Sequence, residues 1–349
     1  MNLSVCIITK NEAEKLEKCL KSLKNYDVEI VVVDTGSTDN TKEIIKTYAD
    51  KTGSFEWCND FSKARNYSIS LALYDWILVL DTDEWIEEMN PDEVAKILEN
   101  APKTAGRIER INQYKINGNT EFGHERICRL FHKQYYEYRG RIHEQVTRKD
   151  KSPEQYADVP IRIGHSGYDG TEEERIEKAA RNIKLLLMDL EEYGDEPYTL
   201  YQLGKSYYMQ KDYEKACMYF ERGLGFDLEP GLEYVQDMVE TYAYALMQMK
   251  RFEEMLFLKN IYKEFAVSAD YVFLTGLAYM NNAMFKEAIE EFEKAVQHTY
   301  CKVEGCNSYK AYYNAGVICE CLGDISKARQ YYEKCSSYEL AQEGLKRLK

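Results

Sequence analysis

The chain has 349 residues, a formal net charge of −14, 44% hydrophobic and 30% charged residues, and only 6 prolines. This length suffices for two domains or three small ones, and the composition excludes disordered and fibrous proteins. Residues 1–170 carry 24 Lys and Arg against 29 Asp and Glu, and residues 171–349 carry 22 against 31. Because both halves are acidic, we do not expect general binding to nucleic acid.

The apolar stretches of the sequence are short. The longest, 4–8 and 76–80, fall far below the roughly 20 residues that a transmembrane helix needs, and no basic segment precedes the first. We therefore expect a cytoplasmic protein without a transmembrane segment. The 10 cysteines are scattered among apolar positions, which favours reduced, buried thiols over a disulfide framework.

The first half alternates short apolar runs with amphipathic segments, which is typical of an α/β sheet covered by helices. The predicted elements are, in chain order, strand 3–9, helix 13–23, strand 29–34, helix 40–48, strand 54–57, helix 61–73, strand 76–81 and a short helix after Pro91. Alternating stretches at 105–116, 126–132, 142–148 and 161–164 suit antiparallel strands.

The second half lacks convincing strands and shows internal repeats instead. Each of three copies has a glycine, an alanine twelve residues later and an aromatic residue four further on: Gly204, Ala216 and Phe220; Gly276, Ala288 and Phe292; Gly316, Ala328 and Tyr332. A degenerate copy lies at 242–258. The pattern resembles the tetratricopeptide repeat, a helical hairpin of about 34 residues. A generic helical bundle is the alternative.

Two carboxylates directly follow the predicted strand that ends near residue 80. Asp81 and Asp83 would lie at the carboxyl end of this strand, where α/β folds bind ligands. One or two carboxylates together with phosphate oxygens commonly hold Mg²⁺ or Mn²⁺, and such a metal neutralises a leaving diphosphate. By itself the pair also fits an acidic turn after a strand.

Three further segments accompany this pair in order: residues 4–12 (SVCIITKNE), 31–39 (VVVDTGSTD) and 60–66 (DFSKARN). Together the four motifs resemble the family 2 inverting glycosyltransferases, which have the GT-A fold, a Rossmann-like sheet that binds a nucleotide sugar. The resemblance is strong over residues 1–90 and looser over 91–170. A phosphatase or nucleotidyltransferase could use the same carboxylates but would not explain the ordered motifs.

The resemblance implies a role for residues in each motif. Those implied to contact or lie near the nucleotide sugar are Thr9, Asn11 and Glu12 beside the nucleoside, Asp34 on the base, Arg65 and Asn66 nearby, and Asp81 towards the ribose and the metal. Asp83 would be the direct metal ligand. From the residues alone, we expect Ser37 and Thr38 to cap the next helix, and Arg65 could equally form a surface ion pair.

The catalytic base and a further metal ligand are predicted from later segments. Many family members place the base in a second acidic pair, which is missing here. The segment 140–146 (GRIHEQV) instead looks like that of a subgroup with an Ile-His-Glu motif, and by position we predict Glu144 as the base, with His143 as the runner-up. A buried, hydrogen-bonded pair is the alternative. His165 fits a metal ligand or a buried core histidine.

Residues 101–150 contain 11 basic and 6 acidic side chains. The arginines among them could contact a diphosphate or an acidic acceptor, or could form a solvated basic face.

We therefore predict three segments: a GT-A catalytic domain at 1–170, a connecting helix at 171–196 and an all-α tetratricopeptide-like domain at 197–349. The predicted function is metal-dependent, inverting transfer of a hexose from a nucleotide sugar, with a UDP-sugar implied by the resemblance. This architecture is similar to that of bacterial peptide glycosyltransferases, whose repeats mediate dimerisation, and to that of enzymes that glycosylate cell-surface polysaccharide or lipopolysaccharide core. A catalytically inactive protein-interaction scaffold is the alternative from another class.

Overall fold

The computed structural model describes residues 2–100, 103–116, 119–166 and 172–348. These residues form two compact units: one comprises residues 1–178 and 184–189, and the other comprises residues 179–183 and 190–349. Within the described ranges, no helix combines the length and the apolar character that crossing a membrane requires.

The N-terminal unit contains ten strands and four helices in its described residues, before the long helix α5. They are β1 (Leu3–Thr9), α1 (Ala13–Leu23), β2 (Glu29–Asp34), α2 (Thr41–Tyr48), β3 (Lys51–Ser54), α3 (Phe61–Leu71), β4 (Trp76–Leu80), β5 (Glu84–Met89), α4 (Pro91–Asn100), β6 (Ala105–Ile116), β7 (Asn119–His132), β8 (Tyr136–Arg139), β9 (Gln145–Arg148) and β10 (Tyr156–His165). The helix α5 (Glu172–Tyr193) contributes residues to both units.

Eight of these strands form one mixed sheet, in the order β3-β2-β1-β4-β7-β6-β10-β5. The first four in this order run parallel, whereas β7 is antiparallel to both of its neighbours. The strands β8 and β9 form a separate two-stranded sheet. Alternate residues of β1 face opposite core clusters, with Val5 in one and Cys6 in the other. Burial on both faces explains why the central strands are almost continuously apolar.

The structure corrects several sequence-based predictions. The third strand is Lys51–Ser54 rather than 54–57. Its four residues pair with β2 at the edge of the sheet and carry no apolar pattern, while the aromatic residues just beyond it form ring contacts instead. The strand β5 was not predicted because it is rich in glutamate, and β8 was also missed.

Two other predicted strands differ from the observed ones. Within 142–148 only Gln145–Arg148 is a strand, because Gly140 and His143 take positive φ angles of 97° and 53° and turn the chain. The stretch 161–164 lies in β10, which is antiparallel to β5 but parallel to β6, so the expectation of antiparallel pairing holds on one side only.

The C-terminal unit is helical throughout its described residues. Its helices are α6 (Pro197–Met209), α7 (Tyr213–Leu224), α8 (Glu233–Gln248), α9 (Phe257–Asn260), α10 (Tyr262–Phe265), α11 (Ala269–Asn281), α12 (Phe285–Ala295), α13 (Tyr309–Cys321), α14 (Ile325–Glu333) and α15 (Glu339–Arg347), with a 3₁₀ turn at Glu254–Leu256. The repeat glycines lie where two helices pack most closely. A Cβ on Gly276 would come within 2.7 Å of the Phe292 ring.

The cysteines, all of which lie in the described ranges, form no disulfide. All ten are free thiols, and six of them are buried, namely Cys6, Cys19, Cys217, Cys306, Cys319 and Cys335. Burial raises the pKa of Cys217 and Cys335 to about 11, so these thiols remain protonated at neutral pH and behave as small apolar side chains.

Candidate active site

The carboxyl ends of three neighbouring parallel strands bring the first motifs together. Thr9 at the end of β1 lies opposite Asp34 at the end of β2. Leu80, the last residue of β4, lies opposite Ile7 of β1, so Asp81 leaves the sheet at the same edge. Parallel strands that end together place their following loops side by side, which is how α/β sheets build ligand sites.

The loops after β1 and β2 are joined by hydrogen bonds. Asn11, with a φ angle of 53°, donates its backbone N–H to the Ser37 hydroxyl at 2.9 Å and accepts from the Thr38 N–H at 2.7 Å. The expected capping role of Ser37 and Thr38 is therefore wrong. The helix α2 begins after Asn40, and among the described residues no side chain caps it. Ser37 and Thr38 instead form hydrogen bonds with Asn11 in the loop after β1.

The side chains of Asp34, Thr9 and Glu12 differ in the hydrogen bonds and ion pairs that they form. The buried Asp34 carboxylate accepts hydrogen bonds from the backbone N–H groups of Gly36 and Ser37. The Thr9 hydroxyl is buried without a hydrogen-bond partner in the described residues. The Glu12 carboxylate is partly exposed and pairs with Lys15 at 3.0 Å.

Asp81 accepts hydrogen bonds from the buried Arg65 and from Arg129, whose side chain is only 12% exposed. Arg65 of α3 contacts its Oδ1 at 2.6 Å, and Arg129 of β7 contacts its Oδ2 at 2.6 Å. Burial by itself would raise the pKa of Asp81, but the charges of Arg129 and Arg65 outweigh it and hold the pKa well below its usual range. Asp81 is therefore a carboxylate at all physiological pH values.

Arg65 also donates from Nε to Glu144 Oε1. Its side chain is only 7% exposed, and that of Glu144 is only 9% exposed. The structure thus contradicts the alternative in which Arg65 forms a surface ion pair. One guanidinium joins the strand-end carboxylate Asp81 to the predicted base, although the two acids are far apart in sequence.

Asn66, the neighbour of Arg65, has both polar side-chain atoms bonded to one backbone unit. Its Nδ2 donates to the Tyr138 carbonyl at 2.8 Å, and its Oδ1 accepts from the Tyr138 N–H at 3.0 Å. Asn66 therefore holds β8 against α3.

Asp83 directly precedes β5 and lies beside His165 at the end of the neighbouring strand β10. The register of β10 on β5 places His165 opposite Glu84, and His165 Nε2 is 3.5 Å from Asp83 Oδ2. Burial opposes ionisation of Asp83, but the hydrogen bond and charge of His165 outweigh it and lower the pKa of this carboxyl.

The orientation of the His165 ring is set by Asn112 of β6, which the sequence analysis did not single out. His165 Nδ1 and Asn112 Oδ1 are 2.7 Å apart, and Asn112 Nδ2 donates to Glu125. Because a carboxylate only accepts, the Asn112 amide is fixed with its oxygen towards His165, so Nδ1 carries the proton. With Nδ1 protonated, a second proton on Nε2 would donate to Asp83, and Nε2 without that proton is an acceptor that faces Asp83.

This arrangement fits a divalent cation. Two acceptors that face each other at 3.5 Å need a proton or a cation between them, and two ligands of one octahedral metal are roughly 3 Å apart. Asp83 and His165 would hold the metal, with the donor phosphates completing its shell. Over the described residues, no group of three or more His, Cys, Asp or Glu side chains is placed to hold a metal by itself.

An ionic network extends from this site and includes acids that the sequence analysis missed. Glu84 is completely buried and pairs with Arg110 at 3.1 Å and Arg129 at 3.2 Å. Arg110 pairs in turn with Glu125 at 2.9 Å. The position of Glu84 directly after the Asp81 motif was a signal for it, whereas nothing in the sequence pointed to Glu125.

Three other histidines make contacts with residues outside this group. His124 pairs with Glu109 at 3.0 Å, His132 contacts the Trp76 ring edge, and the His298 carbonyl accepts from Asn307. His143, the alternative base, has a φ angle of 53°, and its carbonyl accepts from Gln145 at 2.8 Å.

The arginines of the basic segment neutralise the chain's own carboxylates. Each of the seven has an acidic partner: Arg107 and Arg126 pair with Asp158, Arg110 with Glu84 and Glu125, Arg129 with Asp81 and Glu84, Arg139 with Glu137, Arg141 with Asp189, and Arg148 with Asp150.

Comparison with known families agrees with this geometry. Residues 4–165 match the family described as glycosyl transferase family 2. The N-terminal unit is a family 2 glycosyltransferase domain. It has the GT-A fold, and this match extends over all the site residues described above. Residues 198–222, 269–297 and 309–341 match tetratricopeptide repeats, so the family 2 domain is followed by such repeats.

Individual relatives carry corresponding names. The SPbeta prophage-derived glycosyltransferase SunS of Bacillus subtilis (strain 168) is 31% identical over 223 residues, which cover 62% of this chain and 52% of that protein. An uncharacterized glycosyltransferase of Rickettsia prowazekii (strain Madrid E) is 34% identical over 114 residues, covering 33% of this chain and 37% of the relative. The matched region thus spans about half or less of these two relatives.

Among solved structures, this chain is similar to the crystal structure of YrrB, which is described as a TPR protein with an unusual peptide-binding site. The match covers 50% of this chain and 86% of the YrrB chain, at 20% identity and a TM-score of 0.43.

Proposed function

We propose that the chain transfers a hexose with inversion from a UDP-sugar to an acceptor, in a reaction that depends on Mn²⁺ or Mg²⁺. The observation that carries this proposal is that Asp34 and Asp81 lie at the same edge of the sheet, at the ends of β2 and β4, and that His165 lies 3.5 Å from Asp83. This edge lies within the residues that match the glycosyltransferase family.

The nucleotide sugar would lie across the ends of β1, β2 and β4. Thr9, Asn11 and Glu12 would contact the nucleoside, Asp34 would accept from the base, and Asp81 would lie towards the ribose. Arg65 and Asn66 would lie nearby and act through the contacts described above. A metal held by Asp83 and His165 would neutralise the charge of the diphosphate as it leaves.

Inversion requires a base on the face of the sugar opposite the leaving diphosphate. We assign this role to Glu144, with His143 as the alternative. The acceptor heteroatom forms the new bond to the anomeric carbon, its proton passes to Glu144, and the bond from that carbon to the diphosphate breaks. The contacts of Arg65 support the assignment of the base to Glu144, because one guanidinium pairs with both Glu144 and Asp81.

For the acceptor, we propose a side chain of a peptide or protein that the tetratricopeptide repeats help to bind. Repeats of this kind offer extended surfaces to peptides or to a second copy of the chain. A homodimer through the repeats is part of the proposal. A polysaccharide or lipopolysaccharide-core acceptor is the alternative outcome when acceptors are compared.

One observation favours a second function, a catalytically inactive domain that binds ligands beside a protein-interaction scaffold. Both carboxylate oxygens of Asp81 are occupied by arginines. Such a protein would bind a nucleotide sugar without consuming it.

Release of UDP from a panel of UDP-sugars, with and without Mn²⁺, distinguishes the two functions. We expect metal-dependent release from one donor and loss of at least ~10²-fold in Asp83→Ala. The matched control is Asp75→Ala, which changes an exposed aspartate beside the opposite end of β4. Binding without release in the wild type would favour the scaffold, and unchanged release in Asp83→Ala would contradict the metal assignment.

A further inference from the structure

The loop between β8 and β9 carries the proposed base and has an unusual backbone. Gly140 has a φ angle of 97° and His143 one of 53°, so two of the five residues 140–144 lie in the left-handed region. Glycine adopts this region readily, but histidine adopts it at a cost. Such a conformation persists only when neighbouring groups hold it.

Arg141 supplies the contacts that hold this loop. Its backbone N–H donates to Asp189 Oδ2 at 3.0 Å, and its Nε lies 3.0 Å from Asp189 Oδ1. Its carbonyl accepts from the N–H of Phe61 at 2.8 Å. The side chains of Arg141 and Asp189 are only 12% and 8% exposed, so little water competes for these groups.

The contacts of Arg141 connect the loop that carries the proposed base to two helices, α3 and α5. Phe61 is the first residue of α3, and the same helix carries Arg65, which donates to Glu144. Asp189 lies on α5, beyond the residues 4–165 that match the glycosyltransferase family. A chain of contacts therefore fixes the loop relative to α3. It runs from Asp189 through Arg141 and Phe61 to Arg65, which donates to Glu144.

We propose that Asp189 is a positioning residue for the glycosyl transfer, acting through Arg141 to keep Glu144 on Arg65. This proposal rests on the proposed function, since it assumes that Glu144 is the base. Asp189 acts on Glu144 through Arg141, so we assign it a positioning role and not a catalytic one.

Hydrogen exchange tests the contact without relying on activity. In Asp189→Ala the amide of Arg141 loses its acceptor, and we expect segment 139–145 to exchange at least ~10-fold faster than in the wild type. Asp189→Asn retains an amide oxygen as acceptor and should give an intermediate rate. Glu191→Gln, which removes an exposed charge from the same helix, should leave the exchange unchanged. Unchanged exchange in both Asp189 variants would overturn the proposal.

Steady-state kinetics test the role of the contact. We expect kcat for transfer to fall at least ~10-fold in Asp189→Ala, with KM for the UDP-sugar within about twofold of wild type and partial recovery in Asp189→Asn. If Asp189→Ala does not fold, Asp189→Asn gives the same comparison. Unchanged kcat, or a rise in donor KM that matches the fall in kcat, would overturn the positioning role alone. A wild-type chain that transfers no sugar from any UDP-sugar would instead overturn the proposed function.

Discussion

Arg65 binds two carboxylates that come from different parts of the sequence. The resemblance to family 2 glycosyltransferases implied a place for it beside the nucleotide, yet its buried side chain contacts Asp81 and Glu144. Buried carboxylates are stable only when such partners compensate the loss of water. Arg65 therefore determines where the proposed base lies.

Glu144→Gln is the direct test of the base at this scale. Glutamine keeps an oxygen that accepts from Arg65 but cannot take the acceptor proton, so transfer should slow at least ~10²-fold while UDP-sugar binding is retained. Transfer rates and donor affinity measure the two effects separately. Glu137→Gln, on the neighbouring strand β8, serves as control. Wild-type transfer in Glu144→Gln would shift the assignment to His143.

At the scale of elements, the glycines of the repeats allow helices to approach each other. Gly204, Gly276 and Gly316 each lie against the aromatic ring of the following helix, where an added Cβ would come within 2.4, 2.7 and 2.6 Å respectively. In the sequence, one aromatic residue follows each glycine at the same distance in every copy, and the structure shows that the two positions pack against each other.

Gly276→Ala should therefore destabilise the repeats by about 1–3 kcal/mol, because the buried Phe292 ring has no room to move. Chemical denaturation measures the change in the free energy of unfolding. Gly231→Ala is the matched control, since no atom of the described residues lies within 4 Å of its Cβ position, and it should change stability by less than about 0.5 kcal/mol. Equal effects of the two substitutions would contradict the packing argument.

The helix α8 carries a buried acid that makes the repeats sensitive to pH. Burial of Glu240 raises its pKa to about 7, and the nearby charge of Asp270 adds to this effect while Lys302 opposes it. A raised pKa means that the protonated form is favoured in the folded state, so the stability from this group is lost as pH rises through about 7.

Glu240→Gln should remove the loss of stability that ionisation of Glu240 causes. The melting temperature of this variant should therefore fall less than that of the wild type between pH 5 and pH 8. Thermal unfolding followed by circular dichroism across this range gives the comparison. Glu253→Gln changes an exposed glutamate nearby and should keep the wild-type pH dependence. A Glu240→Gln profile parallel to that of the wild type would show that Glu240 does not titrate in this range.

At the scale of the whole molecule, the proposed function divides the work between donor chemistry and acceptor recognition. The donor site is built by residues within 4–165, whereas the repeats follow it in the chain. In α6 and α8, the rings of Tyr198, Tyr201 and Tyr234 contact one another at centroid distances of 5.4 to 5.8 Å. Aromatic clusters of this kind supply binding surface at low entropic cost.

If the repeats bind a peptide acceptor, Tyr234→Ala should raise KM for that acceptor by roughly tenfold. Hydrolysis of the UDP-sugar without acceptor should be unchanged, because it needs only the family 2 domain. Tyr300→Ala, which removes a side chain that is 74% exposed, is the control. A change in donor hydrolysis, or an unchanged acceptor KM, would contradict this division of work.

The sequence by itself determined the central strands β1, β2 and β4 and the repeats of the second half, because burial on both faces makes these strands apolar and helix packing imposes the repeat columns. The strands β3 and β5, at the edges of the sheet, were misplaced or missed, because β3 is polar and β5 is rich in glutamate, so neither shows the apolar pattern of a strand. The four motifs also identified the family.

The partners of the site residues were decided by tertiary structure alone. Strand register brings His165 to Asp83 and Asn112 to His165 across long stretches of sequence. The loop at 140–144 places Glu144 on Arg65, and a helix beyond the family domain holds that loop through Asp189. Such contacts depend on pairing between distant segments, and local spacing in a sequence carries no information about which distant charges will share one buried guanidinium.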